Sequence, residues 1–364
     1  MIYLAYFVIA FSILQLIIAL SNGLFSLFHK KTEIDRTVVV SVLIPARNEE
    51  ERIGTLLTQL TKQQQQTLEI LVFDDQSTDN TAAIVQSFEK IDSRIRLIQS
   101  MGLPEDWLGK NFGCHCLAKE AKGRYFLFLD ADVLINENAI TKGIQKMQGF
   151  KLQFLSIFPK QELFSFGEKI TVPLMNYILV SLLPLALVPY SRFSSIAAAN
   201  GQYMLFDATI YKQLLPHATV KNKPVEDIAI ARLYKKKGYR IGCFLGDNAI
   251  RCRMYTGFEE ASKGFSKNII AYFGNSSILA IAFWLISSVG FIPVLLTCSA
   301  TISWAYITSI FLTRILVSLA SKQNPICNCL LLIPQQLSMG YILIKSLRNK
   351  QKQAFIWKER TILC

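Results

Sequence analysis

Residues 125–133 constrain the fold of this chain more than any other stretch. Five apolar residues there run without a polar interruption and meet two carboxylates, Asp130 and Asp132. A continuous apolar run of this length is typical of a strand buried on both faces, as in a parallel sheet covered by helices. Ligands of open α/β sheets bind beyond the carboxyl ends of the strands, where these two carboxylates would lie. The alternative is a strand that ends in a solvated turn.

The two carboxylates also restrict the chemistry of the site. Neighbouring carboxylates at a sheet edge are unfavourable without a cationic partner. Hard oxygen ligands on so short a segment suit Mg²⁺ or Mn²⁺ that bridges to the phosphates of a substrate. The stretch therefore predicts a divalent-cation site, provided that other parts of the chain support it.

Strand and helix patterns alternate on both sides of this stretch. Alternation of this kind predicts a doubly wound, mostly parallel α/β sheet with right-handed crossovers. The patterns indicate strands near residues 38–44, 68–73, 95–98, 125–129 and 154–158, and helices near residues 51–66, 82–90, 137–147 and 224–237.

Polar clusters follow three of the strands, at residues 45–50, 74–79 and 130–132, so one rim of the sheet carries all three. Their sequences are Val-Ser-Val-Leu-Ile-Pro-Ala-Arg-Asn-Glu-Glu, Val-Phe-Asp-Asp-Gln-Ser-Thr-Asp-Asn-Thr and Leu-Asp-Ala-Asp-Val, in that order. This series resembles the family 2 glycosyltransferases of the GT-A fold, over residues 38–270. The resemblance implies a Rossmann-like catalytic domain, a nucleotide-sugar donor (first of all a UDP-sugar), a divalent metal and inversion at the anomeric carbon.

The resemblance assigns the nucleotide part of the donor to the first two clusters. Pro45, Arg47 and Glu49 would lie along the nucleotide, and Asp75 would accept hydrogen bonds from the base or ribose. The alternative role for Asp74 and Asp75 is to form the turn and cap the next helix. We expect one of the two to do so and assign Asp75 to the ligand.

The resemblance places the reacting groups in the third cluster and downstream of it. Asp132 would bind the metal, and Asp130 would contact the donor sugar or ribose. Lys110 would meet the diphosphate, the alternative being a solvated loop lysine. Asp227 would be the catalytic base that deprotonates the acceptor. The start of a helix also explains the acidic pair at 226–227 without catalysis, so this choice depends on the resemblance.

Two segments after residues 226–227 indicate which subgroup of the family the chain resembles. The processive polysaccharide synthases of the family carry a Gln-x-x-Arg-Trp signature here, which this chain lacks. Residues 253–255 and 264–268 instead resemble hopanoid-associated and carotenoid glycosyltransferases. Arg251 or Arg253 would reach the diphosphate, and we assign Arg253; anchoring at the membrane surface is the competing role.

The first 28 residues are almost wholly apolar after Met1 and long enough to cross a bilayer. A signal peptide is the rival interpretation, but nothing basic precedes the apolar run. His29, Lys30, Lys31 and Arg36 follow it, which predicts an N-terminal transmembrane helix over residues 1–30 and a cytoplasmic domain after it.

The C-terminal part of the chain is also membrane-like. Residues 277–297 and 302–320 are predicted spans, and residues 326–344 form a weaker third, within a region of two to three segments over 276–345. The basic tail at 346–364 should be cytoplasmic. Residues 174–190 are too short for a span and predict an interfacial helix, with a buried core helix as the alternative.

Composition agrees with a membrane enzyme. The chain has 364 residues, 51% of them hydrophobic, and an excess of 13 basic over acidic residues. Cytoplasmic segments and phosphate-bearing ligands explain this excess, so we expect no nucleic-acid partner. The eight cysteines lack the spacing of a zinc site. The predicted protein is a multi-pass glycosyltransferase of the inner cell membrane that glycosylates a lipid-like acceptor. The alternatives are an oligosaccharide or polysaccharide synthase and a non-catalytic membrane scaffold.

Overall fold

The chain forms two units in a computed structural model that describes residues 1–27, 39–63, 67–351, 354–357 and 360–363. The helical unit holds the N-terminal helix, residues 161–186 and the chain from Arg253 onward. The sheet unit holds residues 29–160 and 187–252. The predicted domain over 38–270 is therefore divided, because two of its segments group with the apolar helices. The basic residues His29, Lys30, Lys31 and Arg36 lie outside the described residues.

The sheet unit is built on seven strands in the order β3-β2-β1-β4-β8-β6-β9. A second, smaller pairing joins β5 and β10 in antiparallel register. In chain order the strands are β1 (Val40–Ala46), β2 (Thr67–Asp74), β3 (Ile95–Gln99), β4 (Tyr125–Leu129), β5 (Val133–Ile135), β6 (Phe154–Phe158), β7 (Lys160–Gln161), β8 (Tyr203–Asp207), β9 (Ile241–Leu245), β10 (Ile250–Cys252), β11 (Ala354–Trp357) and β12 (Arg360–Leu363).

The large sheet is mostly parallel, as predicted. Strands β3, β2, β1 and β4 pair parallel to one another in that order, and β6 is parallel to β9. Strand β8 is reversed, pairing antiparallel with both β4 and β6. All five residues of β4 are buried. The continuous apolar run thus forms a central strand that is covered on both faces, and Asp130 follows its carboxyl end.

The helices in chain order are α1 (Ile2–Leu27), α2 (Ile53–Thr61), α3 (Thr81–Glu89), α4 (Gly109–Glu120), α5 (Ala139–Gly149), α6 (Phe166–Thr171), α7 (Pro173–Leu182), α8 (Ala208–Leu214), α9 (Pro216–Thr219), α10 (Glu226–Lys236), α11 (Phe258–Asn268), α12 (Ser277–Val289), α13 (Phe291–Thr297), α14 (Ala300–Ala320), α15 (Pro325–Leu330) and α16 (Leu332–Gln351). Helix α2 buries Ile53, Leu56, Leu57 and Leu60, as its apolar periodicity predicts. Helix α10 is followed by Gly238 in the left-handed region, at φ 82°, where glycine adopts the conformation without strain.

Two helices of the described chain, α1 and α14, are long and apolar enough to cross a membrane. Residues 258–273 and α12 meet at an angle of 101°. If these two segments acted together as one span, the described chain would have three. The predicted span at 277–297 is instead divided into α12 and α13 at Gly290. The weaker segment at 326–344 is divided between α15 and α16.

The segment at 174–190 differs from the predicted interfacial helix. It forms α7 and a 3-10 turn at Leu185–Leu187, and most side chains of α7 are buried. Asn22 fixes the end of α7, because its Nδ2 donates to the carbonyls of Val180 and Leu183, each at 2.8 Å. Interior contacts therefore cover the side chains that an interfacial helix would give to lipid. The buried-helix alternative describes α7.

Candidate active site

The polar clusters that follow β1 and β2 are bonded to each other. Arg47 Nη1 donates to the backbone carbonyls of Asp75 and Gln76. The Ser77 N–H donates to Asp74 Oδ1 at 3.2 Å. Asp74 thus performs the turn-forming role predicted for one member of the pair, which leaves Asp75 as the candidate for the ligand.

Pro45 and Glu49 lie on the same rim. Pro45 is paired with Phe73 across β1 and β2. The Glu49 backbone N–H donates to Thr81 Oγ1 at 2.8 Å, at the start of α3. The structure therefore brings Pro45, Arg47, Glu49 and Asp75 together at one edge of the sheet.

Lys110 is the cationic centre of a second group of residues. It lies in the first turn of α4, and its Nζ is 2.8 Å from Asp130 Oδ1 and 3.0 Å from Glu226 Oε1. Its side chain is 22% exposed. The solvated-loop alternative is therefore wrong: Lys110 joins the carboxyl end of β4 to the start of α10.

The segment before β8 brings two more acids into this group, one through a backbone N–H and one through a side-chain amide. The Gly201 N–H donates to Asp227 Oδ2 at 3.1 Å, and Gln202 Nε2 donates to Asp132 Oδ2 at 3.3 Å. A Cβ on Gly201 would lie 2.8 Å from Lys110 Nζ, so a larger residue here would displace the end of the Lys110 side chain. Asp130, Asp132, Glu226 and Asp227 consequently surround one short backbone segment.

Two of these carboxyl groups have raised pKa values. Burial, with the adjacent charge of Glu226, raises the pKa of Asp227 to about 7, against the hydrogen bonds from the Ile228 and Gly201 N–H groups. Burial and the charge of Asp132 raise the pKa of Asp130 to about 7, against the opposing effect of Lys110. A carboxyl group with this pKa gains and loses a proton near neutral pH, as a catalytic base requires.

Asp132 fits the metal role better than Asp130 does. Its Oδ1 atom is buried and has no hydrogen-bond partner among the described residues, whereas Asp130 presents both oxygens to Lys110. The described chain holds no group of three or more His, Cys, Asp or Glu residues placed to bind a metal. The unbonded Oδ1 of Asp132 would suit a cation such as Mg²⁺, which proteins hold through one or two carboxylates together with substrate phosphates.

Arg253 lies in the helical unit and binds an acid there. Its Nη2 is 3.0 Å from Glu168 Oε1, and its guanidinium lies over the ring of Phe164, 4.8 Å from the centroid. Glu168 is fully buried and also completes a capping box with Ser165 at the start of α6. The ion pair gives Arg253 a structural role, and its contact with the diphosphate stays a prediction.

Replacing Lys110 with Met is expected to destabilise the protein by about 1–3 kcal/mol, because two largely buried carboxylates lose a charged partner. The lysine is charged throughout pH 5.5–8, whereas Asp130 ionises near pH 7. The loss should therefore be larger at pH 8 than at pH 5.5, as measured by thermal unfolding. Lys142→Met is the control, because Lys142 pairs with a 41% exposed Asp247 and should lose less than about 1 kcal/mol. Equal losses in both variants at both pH values would contradict the assigned charge network.

Comparison with known proteins gives a family match for the part of the chain that holds several of these residues. Residues 41–168, which include Arg47, Asp75, Lys110, Asp130 and Asp132, match the sequence model described as Glycosyl transferase family 2. Over these residues the chain is similar to the family 2 glycosyltransferases. This match confirms the resemblance to family 2 glycosyltransferases that the three polar clusters indicate.

Relatives of this glycosyltransferase domain include carotenoid glycosyltransferases. The chain is 27% identical over 251 residues to the 4,4'-diaponeurosporenoate glycosyltransferase of Staphylococcus haemolyticus, an alignment that covers 66% of this chain and 64% of the relative. It is 26% identical over 257 residues to the enzyme of that name from Staphylococcus aureus, covering 69% and 66% of the two chains. The chain thus spans a little under two thirds of the length of these relatives.

A solved structure supports the GT-A fold predicted for this chain. The mannosyltransferase of Pyrobaculum calidifontis, solved with GDP-mannose and Mn²⁺, aligns with a TM-score of 0.55 and 16% identity, over 95% of this chain and 99% of its own. At this identity the likeness establishes the fold and leaves the substrate open.

Sequence reasoning missed three residues of the site. Glu226 was set aside in favour of its neighbour, although it is the acid that pairs with Lys110. Gly201 and Gln202 have no predicted role in the site, although they contact two of the acids. The signal available in the sequence was the Asn-Gly-Gln tripeptide before an apolar strand, since a glycine there indicates close approach of the backbone to other groups.

Proposed function

We propose that the protein is a membrane-bound, inverting glycosyltransferase that transfers a sugar from a nucleotide-sugar donor to a lipid-like acceptor at the cytoplasmic face. The observation that carries the proposal is the convergence of Lys110, Asp130, Asp132 and Asp227 around residues 201–202. The family and the carotenoid glycosyltransferase relatives support the reaction class. The names of those relatives support an apolar acceptor.

Inversion requires one displacement at the anomeric carbon. An acceptor oxygen forms the new bond to that carbon while the bond to the β-phosphate oxygen breaks, and the nucleoside diphosphate leaves. Asp227 takes the proton of an acceptor hydroxyl as this oxygen attacks. Lys110 binds the diphosphate and stabilises the charge that develops on it. A Mg²⁺ or Mn²⁺ ion at Asp132, when bound, would neutralise charge on the departing diphosphate.

The raised pKa of Asp227 predicts the pH dependence of transfer. The base must be ionised, and its pKa is about 7. We expect kcat/KM to level off above this pH and to fall about tenfold per pH unit below it. The measurement is the initial rate of transfer between pH 5.5 and 8.5 at constant ionic strength. A rate that stays constant down to pH 5.5 would contradict a base with this pKa.

Donor binding tests the proposal independently of the acceptor. Titration of the full-length protein with UDP and Mn²⁺ by calorimetry should show binding that is lost with EDTA and weakened in Lys110→Met. The same titration with GDP in place of UDP shows which of the two nucleotides the site binds. Absence of binding for both diphosphates in the presence of Mn²⁺ would contradict a nucleotide-sugar enzyme.

Membrane attachment is part of the proposal. Helices α1 and α14 are long and apolar enough to cross a bilayer, and the basic residues after α1 favour a cytoplasmic catalytic domain in a multi-pass protein of the inner membrane.

Lipid contact is also supported by Tyr190 and Phe193, which are 68% and 72% exposed. Lys235 holds the loop that carries Tyr190 and Phe193 in place, because its buried Nζ donates to the Ser191 carbonyl at 2.7 Å. Exposed aromatic residues of this kind favour a membrane interface.

A further inference from the structure

Arg314 is a buried cation in the middle of the helical unit. It lies on α14 and is 3% exposed. Its Nη1 donates to Gln335 Oε1 at 2.7 Å, and its Cζ lies 3.8 Å from the centroid of the Tyr177 ring. Gln335 Nε2 is bonded in turn to the Lys169 carbonyl and to Asn328 Oδ1, each at 3.0 Å. These contacts fix the position and the plane of the guanidinium.

The Nε atom of the guanidinium takes no part in these contacts. Arg314 Nε is buried and has no hydrogen-bond partner in the described part of the chain. Nε and Nη2 together form an edge of the planar fork that binds a carboxylate or phosphate through two parallel hydrogen bonds. An arginine cannot release its proton to avoid the burial of charge.

No acidic side chain on the neighbouring helices can neutralise Arg314. The sequence contains no Asp or Glu from Met1 to residue 32, from residue 169 to residue 206, or between Glu260 and Glu359. Helices α1, α7 and α12–α16 lie within these ranges. Glu168, in the same unit, is bonded to Arg253. A buried charge without a counter-charge is strongly unfavourable.

Arg314 also lines a small, partly open cavity. The cavity has polar side chains on one part of its wall, among them Ser12, Gln15 and Tyr177, and aliphatic side chains such as Ile310 on the rest. Ser12 and Gln15 are bonded to neighbouring hydroxyl groups, so the guanidinium is the charged group of this wall. A wall of this composition suits a ligand with an anionic end and an apolar chain.

We propose that Arg314 binds the oxyanion end, carboxylate or phosphate, of an amphiphilic lipid within the helical unit. The lipid anion supplies the counter-charge that the helices lack, and its apolar chain lies along the aliphatic surface. The proposal does not depend on glycosyl transfer, because the ligand is defined by binding alone.

The test uses the full-length protein, purified in detergent and stripped of lipid. Oleate and dodecyl phosphate are the amphiphilic oxyanions, methyl oleate is the uncharged amphiphile, and inorganic phosphate is the anion without a chain. Binding of a ligand to the folded state raises the melting temperature in a concentration-dependent way. We expect at least one amphiphilic oxyanion to raise it, and methyl oleate and inorganic phosphate to leave it unchanged at the same concentrations.

Variants connect the effect to the residue. Arg314→Met should weaken the apparent affinity for the amphiphilic oxyanion about tenfold or more, the loss expected for a charge-assisted hydrogen bond. Arg348→Met, at an exposed arginine of the same unit, should leave it unchanged. If Arg314→Met does not fold, the comparison of oleate with methyl oleate on the unaltered protein still decides. Equal shifts with methyl oleate or inorganic phosphate, no shift with either oxyanion, or full affinity in Arg314→Met would overturn the proposal.

Discussion

Asp132→Asn is expected to reduce metal-dependent transfer by about 10²–10⁴-fold, because a bound cation supplies several kcal/mol of charge stabilisation to the leaving group. Asparagine keeps the shape of the side chain and an oxygen that can accept from Gln202, which donates to Asp132 in the folded protein. The fold should therefore survive the substitution. The measurement is kcat as a function of Mn²⁺ concentration.

Asp106→Asn is the matched control for this change. Asp106 has the same side chain, lies in the same unit and is 79% exposed. Its substitution should leave both the rate and the Mn²⁺ dependence unchanged. Full activity of a folded Asp132→Asn protein would disprove the metal assignment. An equal loss in the control would show that the assay reports general damage to the protein.

Asp227→Asn is expected to lower kcat by about 10²–10⁴-fold, the usual contribution of a general base. The neighbouring Glu226→Gln is the informative comparison, because Glu226 binds Lys110 and its charge raises the pKa of Asp227. We expect Glu226→Gln to keep measurable activity and to move the acid limb of the pH profile to lower pH. Initial rates of both variants across pH 5.5–8.5 make this comparison.

The two acids are distinguished by the pattern of these results. A larger loss in Glu226→Gln than in Asp227→Asn would transfer the role of base to Glu226. Little loss in either variant would indicate an acceptor that is already ionised, such as a carboxylate, which needs no base. Both outcomes would contradict the assignment of Asp227.

Much of the fold could be predicted because local patterns and tertiary burial agree. The run at 125–129 is apolar on both faces, and it is buried on both faces in β4. The spacing of Ile53, Leu56, Leu57 and Leu60 predicted the buried face of α2. The reversed direction of β8 was not predicted, because strand direction depends on the path of the chain between strands and leaves no local pattern.

The site could be predicted in part for a similar reason. Residues that follow strands directly, such as Asp130 and Asp132, are placed by the strand itself. The partners of Lys110 are distant in sequence, and nothing near residue 110 indicates Glu226. Close packing at Gly201 is likewise a property of the folded chain, where Lys110 and Glu226 approach the glycine from outside its own strand.

The apolar helices were harder to assign than the sheet. Hydropathy gives the same signal for a helix that faces lipid and for one that faces protein. Residues 174–190 show the difficulty, because side chains of α7 that suit a membrane surface are covered inside the helical unit. The break between α12 and α13 at Gly290 has no counterpart in average hydropathy.

The most direct test of the central claim is transfer of a labelled sugar into lipid. Membranes containing the protein are incubated with radiolabelled UDP-sugars or GDP-sugars and Mn²⁺, and the label is partitioned between water, organic solvent and insoluble material. The account predicts label in the organic phase for the unaltered protein and none for Asp132→Asn or Asp227→Asn. Label in insoluble polymer, or organic-phase label that is equal in all three proteins, would contradict it.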